Sequence, residues 1–373
     1  MPTVHPRGDR RIVRCAQVAL NAGYRVHFVW LGDAQSSSGG LVAETVLPSP
    51  RSAFERVALV SRVAGQASLL PAAAWHIHDF YFLETAKRWR RRTGIPVLYD
   101  VHEYYGEYYA RKLPLPSGLR RRLVRLLDDY QVRAARRLGA ANVVSAEMAA
   151  PFTAAGIPVS IAPNYPMYAQ FGGLPSQPFE SRRWNVLNIG TLTPEYGTEM
   201  LIRLAARSEQ RSLPFVFQVV ERYPAPRFEE EFRKLCESYG SPNNLRLLAT
   251  RPTHEMPELL ATAGFGLSLL MENGQNDIAI PSKLYEHAMA GLVNVVTKRG
   301  AQHDFSERHA VTVSGNPGDE DRILDEMLIL AEAPRETHSK LLQKSDAAKQ
   351  AFTWERGAEP GLANVLRGLT ADR

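Results

Sequence analysis

Strand signals and helix signals alternate along this chain almost from end to end, and the alternation breaks only once. Residues 11–22 carry apolar side chains at helical spacing and stop at Gly23, and YRVHFVWL at 24–31 is rich in β-branched and aromatic residues. Residues 74–78 read as a strand, 82–93 as a basic helix ended by Gly94, and 96–101 as another strand. A long helix at 119–138 and strands at 142–145 and 160–163 follow. Such βα alternation predicts a parallel sheet with helices on both faces. Pro- and Gly-rich turns at 165–184 interrupt it. From Asn185 a second set runs through VLNIG, a helix at 198–210, FVFQVV, a helix at 227–239, LRLLA, a helix at 256–263, GLSLL, a helix after Pro281 and NVVT at 294–297. The expected fold class is α/β, with two Rossmann-like doubly wound domains facing across a cleft. They span 1–166 and 185–345, joined by a linker at 167–184. Ligands of open α/β sheets bind outside the carboxyl ends of the strands.

Bulk properties narrow the classes. A length of 373 residues suits about two domains. Apolar content of 45% and charged content of 23% are ordinary for a globular chain. No run approaches the ~18 apolar residues of a membrane span, and MPTVHPRGDRR has no apolar core of a secretory leader. Only residues 1–4 precede His5, a short first strand against the usual length of about five. Cys15 and Cys236 lie far apart and give neither a disulfide framework nor metal-ligand spacing, so a reducing cytoplasm is the expected compartment.

The net charge of +6 conceals clustering. Lys87, Arg88, Arg90, Arg91 and Arg92 form one group, Arg120, Arg121, Arg122 and Arg125 a second, and Arg133, Arg136 and Arg137 a third. They are either solvated helix faces or a surface for anionic lipid headgroups, each residue then contributing on the order of 1 kcal/mol. The second alternative implies a peripheral position on the inner face of the membrane. Aromatic stacking patterns and zinc or RNA-binding motifs do not accompany the clusters, so nucleic acid is not an expected partner.

The segment PSKLYEHAMAG at 281–291 carries the most chemistry. Pro281, Ser282 and Lys283 form a turn into a helix, whose first amides lack partners and whose dipole is positive at that end. A lysine there, with Glu286 about one turn further on, suits phosphates flanked by ribose hydroxyls. Other strand ends carry polar residues toward the same edge: His5–Arg11, His78, Asp79, His102 and Glu103 in the first half, and the Gly190–Gly197 loop, Glu221, Arg222 and Arg251 in the second.

In order along the chain, GDRRIVRCAQVALNAGYRV, HDFYFLE, DVHEYY, PNYP, NIGTLTPEYG and PSKLYEHAMAG resemble the glycosyltransferases of the GT-B architecture, family 4 in particular. The resemblance spans almost the whole chain. It implies sugar transfer from a nucleotide-sugar donor to a hydroxyl of a glycan or lipid-linked acceptor, with retention, without a bound divalent metal or other cofactor, in bacterial polysaccharide or glycoconjugate synthesis. It also implies that the helix at 346–373 crosses back to the first domain, with Trp354 near the hinge.

Residue by residue, Glu286 matches the second glutamate of an E-x7-E pattern that holds the donor ribose, a charge-assisted role. The first glutamate of that pattern is Ile278 here, leaving the amides of Ala279 and Ile280 and the Ser282 position to meet donor oxygens. The Arg and Lys that bind the diphosphate in the family are replaced by Thr191 and Tyr196, after Gly190. Lys283, the helix start near Thr198, Arg222 and Arg251 are the remaining sources of positive potential. His102 matches a histidine facing donor sugar and acceptor, so His102 and Lys283 are the expected catalytic residues. Its structural alternative is a strand-capping histidine. Asp9, Arg10, Asp79 and Glu103 are expected on the acceptor side, although Asp9 equally suits an N-cap. The acidic triplet at 319–321 opens a helix and is not read as a metal site.

A nicotinamide dehydrogenase would need G-x-G-x-x-G after the first strand, which is absent, as is a Walker loop. The alternative from another class is a catalytically weak binding or scaffold subunit of a glycan assembly complex, motivated by Thr191 and Tyr196.

Overall fold

The computed structural model describes residues 1–6, 9–32, 42–50, 53–101, 103, 105–174 and 177–371. The chain forms two compact units, Met1–Asn164 with Trp354–Arg373, and Tyr165–Thr353.

Among the described residues the first unit holds seven strands: β1 (Pro2–Pro6), β2 (Val26–Leu31), β3 (Val42–Leu47), β4 (Trp75–Ile77), β5 (Val97–Val101), β6 (Gly139–Val143) and β7 (Val159–Ile161). All pair in parallel, in the orders β1-β2-β3 and β4-β5-β6-β7, and β1 lies beside β4. β4 and β5 are buried along their whole length, as a parallel sheet covered on both faces requires. The Arg10–Asn21 helix turns Ile12, Cys15, Ala16 and Ala19 inward at i, i+3, i+4 and i+7. The helix Glu359–Thr370 returns to this unit, where the Tyr24 hydroxyl donates to Leu366 O at 3.2 Å. Trp354 is buried, with the Arg14 guanidinium 5.7 Å from its ring centroid.

The second unit holds β8 (Asn185–Asn188), β9 (Val216–Val220), β10 (Leu245–Leu248), β11 (Phe265–Ser268), β12 (Val293–Thr297) and β13 (Thr312–Gly315). They form one parallel sheet in the order β10-β9-β8-β11-β12-β13. The chain winds outward from β8 through β9 to β10 and then returns to the other side of β8 at β11. The order therefore reverses between β8 and β11, where doubly wound sheets open a crevice for ligands.

Three sequence expectations change here. Residues 167–184, expected as a linker, carry the one-turn helices Tyr168–Phe171 and Phe179–Arg182 and pack within the second unit. Buried Arg182 donates to Ala263 O at 2.6 Å and to Gly291 O at 2.8 Å, occupying carbonyls at the ends of two helical segments. Strands β3 and β13 and the helices Ala53–Ala67 and Gly300–His309 lie where the periodicity gave no signal. β3 is half-buried and interrupted by Glu44, so its apolar alternation is weak. His5, expected in a loop, lies within β1.

Candidate functional site

At the β8/β11 switch point of the second unit two loops meet. One is residues 189–197, after β8; the other is 269–281, after β11. Gly197 enters the helix Thr198–Gln210 at φ 72°, and a Cβ there would sit 2.1 Å from Leu269 O, so the close approach of the loops requires glycine. The second loop is tied to the first: Met271 N donates to Glu195 O at 2.9 Å, and the buried Asn276 Nδ2 donates to Glu195 O at 3.1 Å and Met271 O at 2.9 Å. On its other side, Arg299 Nη1 pairs with Asp277 at 3.0 Å and Ala301 N donates to Asp277 O at 3.0 Å. Asn276 and Arg299 escaped the sequence reading. NGQN looks like any polar turn, and only the fold shows what the amide bridges.

From this clamped loop the chain enters the helix Ser282–Ala290. Its first turn contains no acid and no side chain caps it. The amides of Ala279 and Ile280 have no acceptor among the described residues. Tyr285 fixes the helix by packing edge-on to Tyr165 at 4.7 Å and to Phe305 at 4.9 Å. His287 is fully buried against Gly266 of β11, where a Cβ would come within 2.6 Å of its ring.

Lys283 is half-buried and makes neither a hydrogen bond nor an ion pair among the described residues. Burial lowers its pKa to about 8, against the opposing field of Glu286. Its Nζ lies 3.8 Å from the Cβ position that Gly190 leaves empty. Gly190 has φ 132° and no side chain, which leaves room beside the ammonium. The arrangement is a desolvated, unpaired cation at a helix start, next to free amides. Such a combination attracts a polyanion.

The other positive sources expected from sequence sit at other elements. Arg222 is exposed after β9, and its carbonyl accepts from Leu192 N at 2.9 Å. Arg251 is exposed after the edge strand β10, two strands from β8. The start of the Thr198–Gln210 helix lines a cavity of about 460 Å³, but Glu195, Glu199, Glu231 and Glu272 line it too, with Arg203 as its sole cationic residue. That acidic lining makes this helix start a weaker source of positive potential than the one at Lys283. Thr191 is half-buried in the β8 loop and Tyr196 is 45% exposed. Ser282 is exposed at the helix start. The acidic triplet is engaged elsewhere, with Asp321 paired to Arg207 and Arg211 and Glu320 to Arg203.

The carboxyl edge of the first unit is built differently. Arg11 donates to Asp100 twice, Nη2 to Oδ1 at 2.6 Å and Nε to Oδ2 at 2.7 Å, and its Nη1 donates to Ala162 O at 2.8 Å and Asn164 Oδ1 at 3.0 Å. Asn142 Nδ2 donates to Asp100 at 2.7 Å, Ser160 Oγ donates to Asn142 at 2.7 Å, and His78 Nδ1 sits 3.0 Å from Asp100. Burial alone would push the Asp100 carboxyl up; Arg11 and His78 hold it well below the usual carboxylate range. Asp79 is buried and engaged with His5 at 2.9 Å and Thr3 Oγ1 at 3.4 Å, a link between β1 and the end of β4. Hydrogen bonding to Asp79 raises the His5 pKa.

Of the residues expected on the acceptor side, Asp9 serves as a helix N-cap, accepting from Arg11 N at 3.0 Å and Ile12 N at 3.2 Å. Arg10 is exposed and Glu103 half-buried. His102 lies outside the described residues. Arg11, Asp100 and His5 were not singled out individually from sequence, although an arginine amid an apolar helical stripe is a signal for a buried partner.

Comparison with known proteins agrees with this architecture. No protein-family model matches the chain, and no curated protein matches it. Solved structures do. HepE of Anabaena, in complex with UDP and glucose, superposes with a TM-score of 0.68 at 14% identity, covering 99% of this chain and 98% of HepE. Sucrose-phosphate synthase of Thermosynechococcus elongatus gives 0.71 at 13% identity, over 97% and 93%. An alpha,alpha-trehalose-phosphate synthase (UDP-forming) of Burkholderia vietnamiensis gives 0.66 at 14%, over 99% of each chain. The chain has the GT-B fold over essentially its whole length.

Proposed function

We propose that the chain is a glycosyltransferase that takes a sugar from a nucleotide-sugar donor and passes it to an acceptor hydroxyl. The observation that carries this reading is the unpaired Lys283 ammonium beside bare Gly190, at the switch point of the second sheet and at a helix start. HepE in complex with UDP-glucose, a protein of the same fold, supports the donor class. In this reading Lys283 and the Ala279 and Ile280 amides meet the diphosphate and stabilise charge as the nucleoside diphosphate departs. Glu286 accepts hydrogen bonds from the ribose hydroxyls. Transfer with retention, without a divalent ion at the donor, to a glycan or lipid-linked acceptor in polysaccharide synthesis extends the same reading. So does a catalytic role for His102 and a cytoplasmic or peripheral membrane position. Among the described residues no helix is long and apolar enough to cross a membrane.

Calorimetry of the full chain with UDP, GDP and ADP tests the donor site, and donor hydrolysis with acceptor extracts tests turnover. Binding of one nucleotide followed by release of its diphosphate from the matching sugar donor is expected. Binding without turnover on any donor would favour the scaffold alternative; no binding of any nucleotide would overturn both.

A further inference from the structure

The first unit contains a second constellation that the proposed transfer reaction does not use. Cys15 on the Arg10–Asn21 helix, His76 and His78 along and just beyond β4, and Asp100 on β5 each offer a ligand atom, and these atoms all lie within 4.8 Å of one another. All four residues are buried. His76 and His78 are two positions apart on one strand direction, so they share a face, and their rings stack at 4.2 Å. Among the described residues neither ring nitrogen of His76 has a hydrogen-bond partner, nor does His78 Nε2. Buried imidazole nitrogens almost always find a partner, and three orphans in one cluster call for an explanation.

We propose that Cys15, His76, His78 and Asp100 form a metal site for a thiophilic, imidazole-binding cation of the zinc class, separate from the nucleotide site. A thiol with two imidazoles selects zinc-like ions over magnesium or calcium, which prefer all-oxygen sets. Zinc bonds of about 2.0–2.3 Å put neighbouring ligand atoms roughly 3.3–3.7 Å apart, so the cluster contracts by about an ångström on binding. Arg11 and Asn142 hold the Asp100 carboxylate as outer-shell groups hold a ligand, and His78 Nδ1 lies 3.0 Å from that carboxylate. His76 also lines a cavity of about 140 Å³ together with Met1, Ala19, Val29 and Trp75.

Binding displaces the Cys15 proton to solvent, and the thiolate, with Asp100 already balanced by Arg11, offsets the metal charge. Spacing along the sequence could not reveal this, because the ligands come from positions 15, 76, 78 and 100 on three elements.

The test is titration of the full chain, freed of metal by a chelator, with Co²⁺ and Zn²⁺, read by visible and near-ultraviolet absorption and by metal analysis after dialysis. One equivalent of metal per chain is expected, with a thiolate-to-cobalt band that Cys15→Ser abolishes and Cys236→Ser retains. His76→Gln is expected to weaken cobalt binding about tenfold or more. Should Cys15→Ser fail to fold, the band in Cys236→Ser assigns the thiolate, since the chain has two cysteines. A folded wild-type chain that retains no zinc and gives no cobalt band overturns the proposal, as does a band lost in Cys236→Ser.

Discussion

At the carboxyl edge of the first sheet Arg11 meets Asp100 through two short bonds, with Asn142 and Ser160 completing a buried network. At the carboxyl edge of the second sheet Lys283 meets no carboxylate at all within ion-pair distance among the described residues. Both cations lie near the start of a helix in a doubly wound unit. One is spent on holding strands and loops together. The other carries a desolvation penalty that the field of Glu286 offsets only in part. A fold repeated twice in one chain has thus paired the cation of one edge with a buried carboxylate and left the cation of the other for a ligand.

The contrast breaks most sharply under alanine substitution. Arg11→Ala leaves Asp100 buried without its guanidinium partner, held only by Asn142 and His78, and unfolding in urea should show a loss of about 3–5 kcal/mol. Lys283→Ala should leave stability unchanged or slightly raised, because it removes a poorly solvated charge. An Arg11→Ala chain as stable as the parent would refute the structural assignment of the first edge.

Gly197→Ala tests the geometry that brings the two loops of the second edge together. At φ 72° with Leu269 O 2.1 Å from the new Cβ, a cost of about 2 kcal/mol or more is expected, with nucleotide affinity reduced as the loops separate. A neutral outcome in both measurements would mean that the loops do not depend on each other.

Next come the ligand contacts themselves. Glu286→Ala and Lys283→Ala should each weaken nucleotide binding by about 1.5–3 kcal/mol, the worth of a hydrogen bond to a charged group. Unchanged calorimetric affinity in a folded Glu286→Ala chain would remove the ribose role. Thr191→Arg, which restores a cation beside Gly190, should tighten binding. If it does not, the phosphate does not pass that position.

How much of this was legible beforehand follows from where the information sits. Alternating periodicity is local, and it revealed the two doubly wound units, the helix Thr198–Gln210 with its ends, and the helix start at Lys283. Charge pairing is not local. Arg11 and Asp100 are 89 positions apart, and nothing near Arg11 in the sequence names its partner. Local reading also counted the helix start near Thr198 among the sources of positive potential; it could not see Glu231 and Glu272, which line the same cavity. For Asp9 the local alternative, a helix cap, is the geometry found.

The smallest expected effect is the most specific to the open edge. The Lys283 pKa of about 8 lies below its unfolded value, so between those values the folded chain holds fewer protons than the unfolded one. The desolvation cost is therefore present below about pH 8, and stability rises as pH increases from there toward the unfolded lysine value. Nucleotide binding runs the other way. A diphosphate stabilises the ammonium and raises its pKa in the complex, so affinity should be flat below about pH 8 and fall above it, by up to roughly tenfold per unit. His287, one turn further along the helix, is held near 3 by burial and by Lys283, so it stays neutral and adds no titration in that window. Calorimetry across about pH 7 to 9.5, in buffers of different ionisation enthalpy, should detect proton uptake on binding in the parent chain. Lys283→Arg, which keeps its charge throughout, should flatten the profile. A slope that survives this substitution would show that some other group, and not the unpaired lysine, titrates at the open edge.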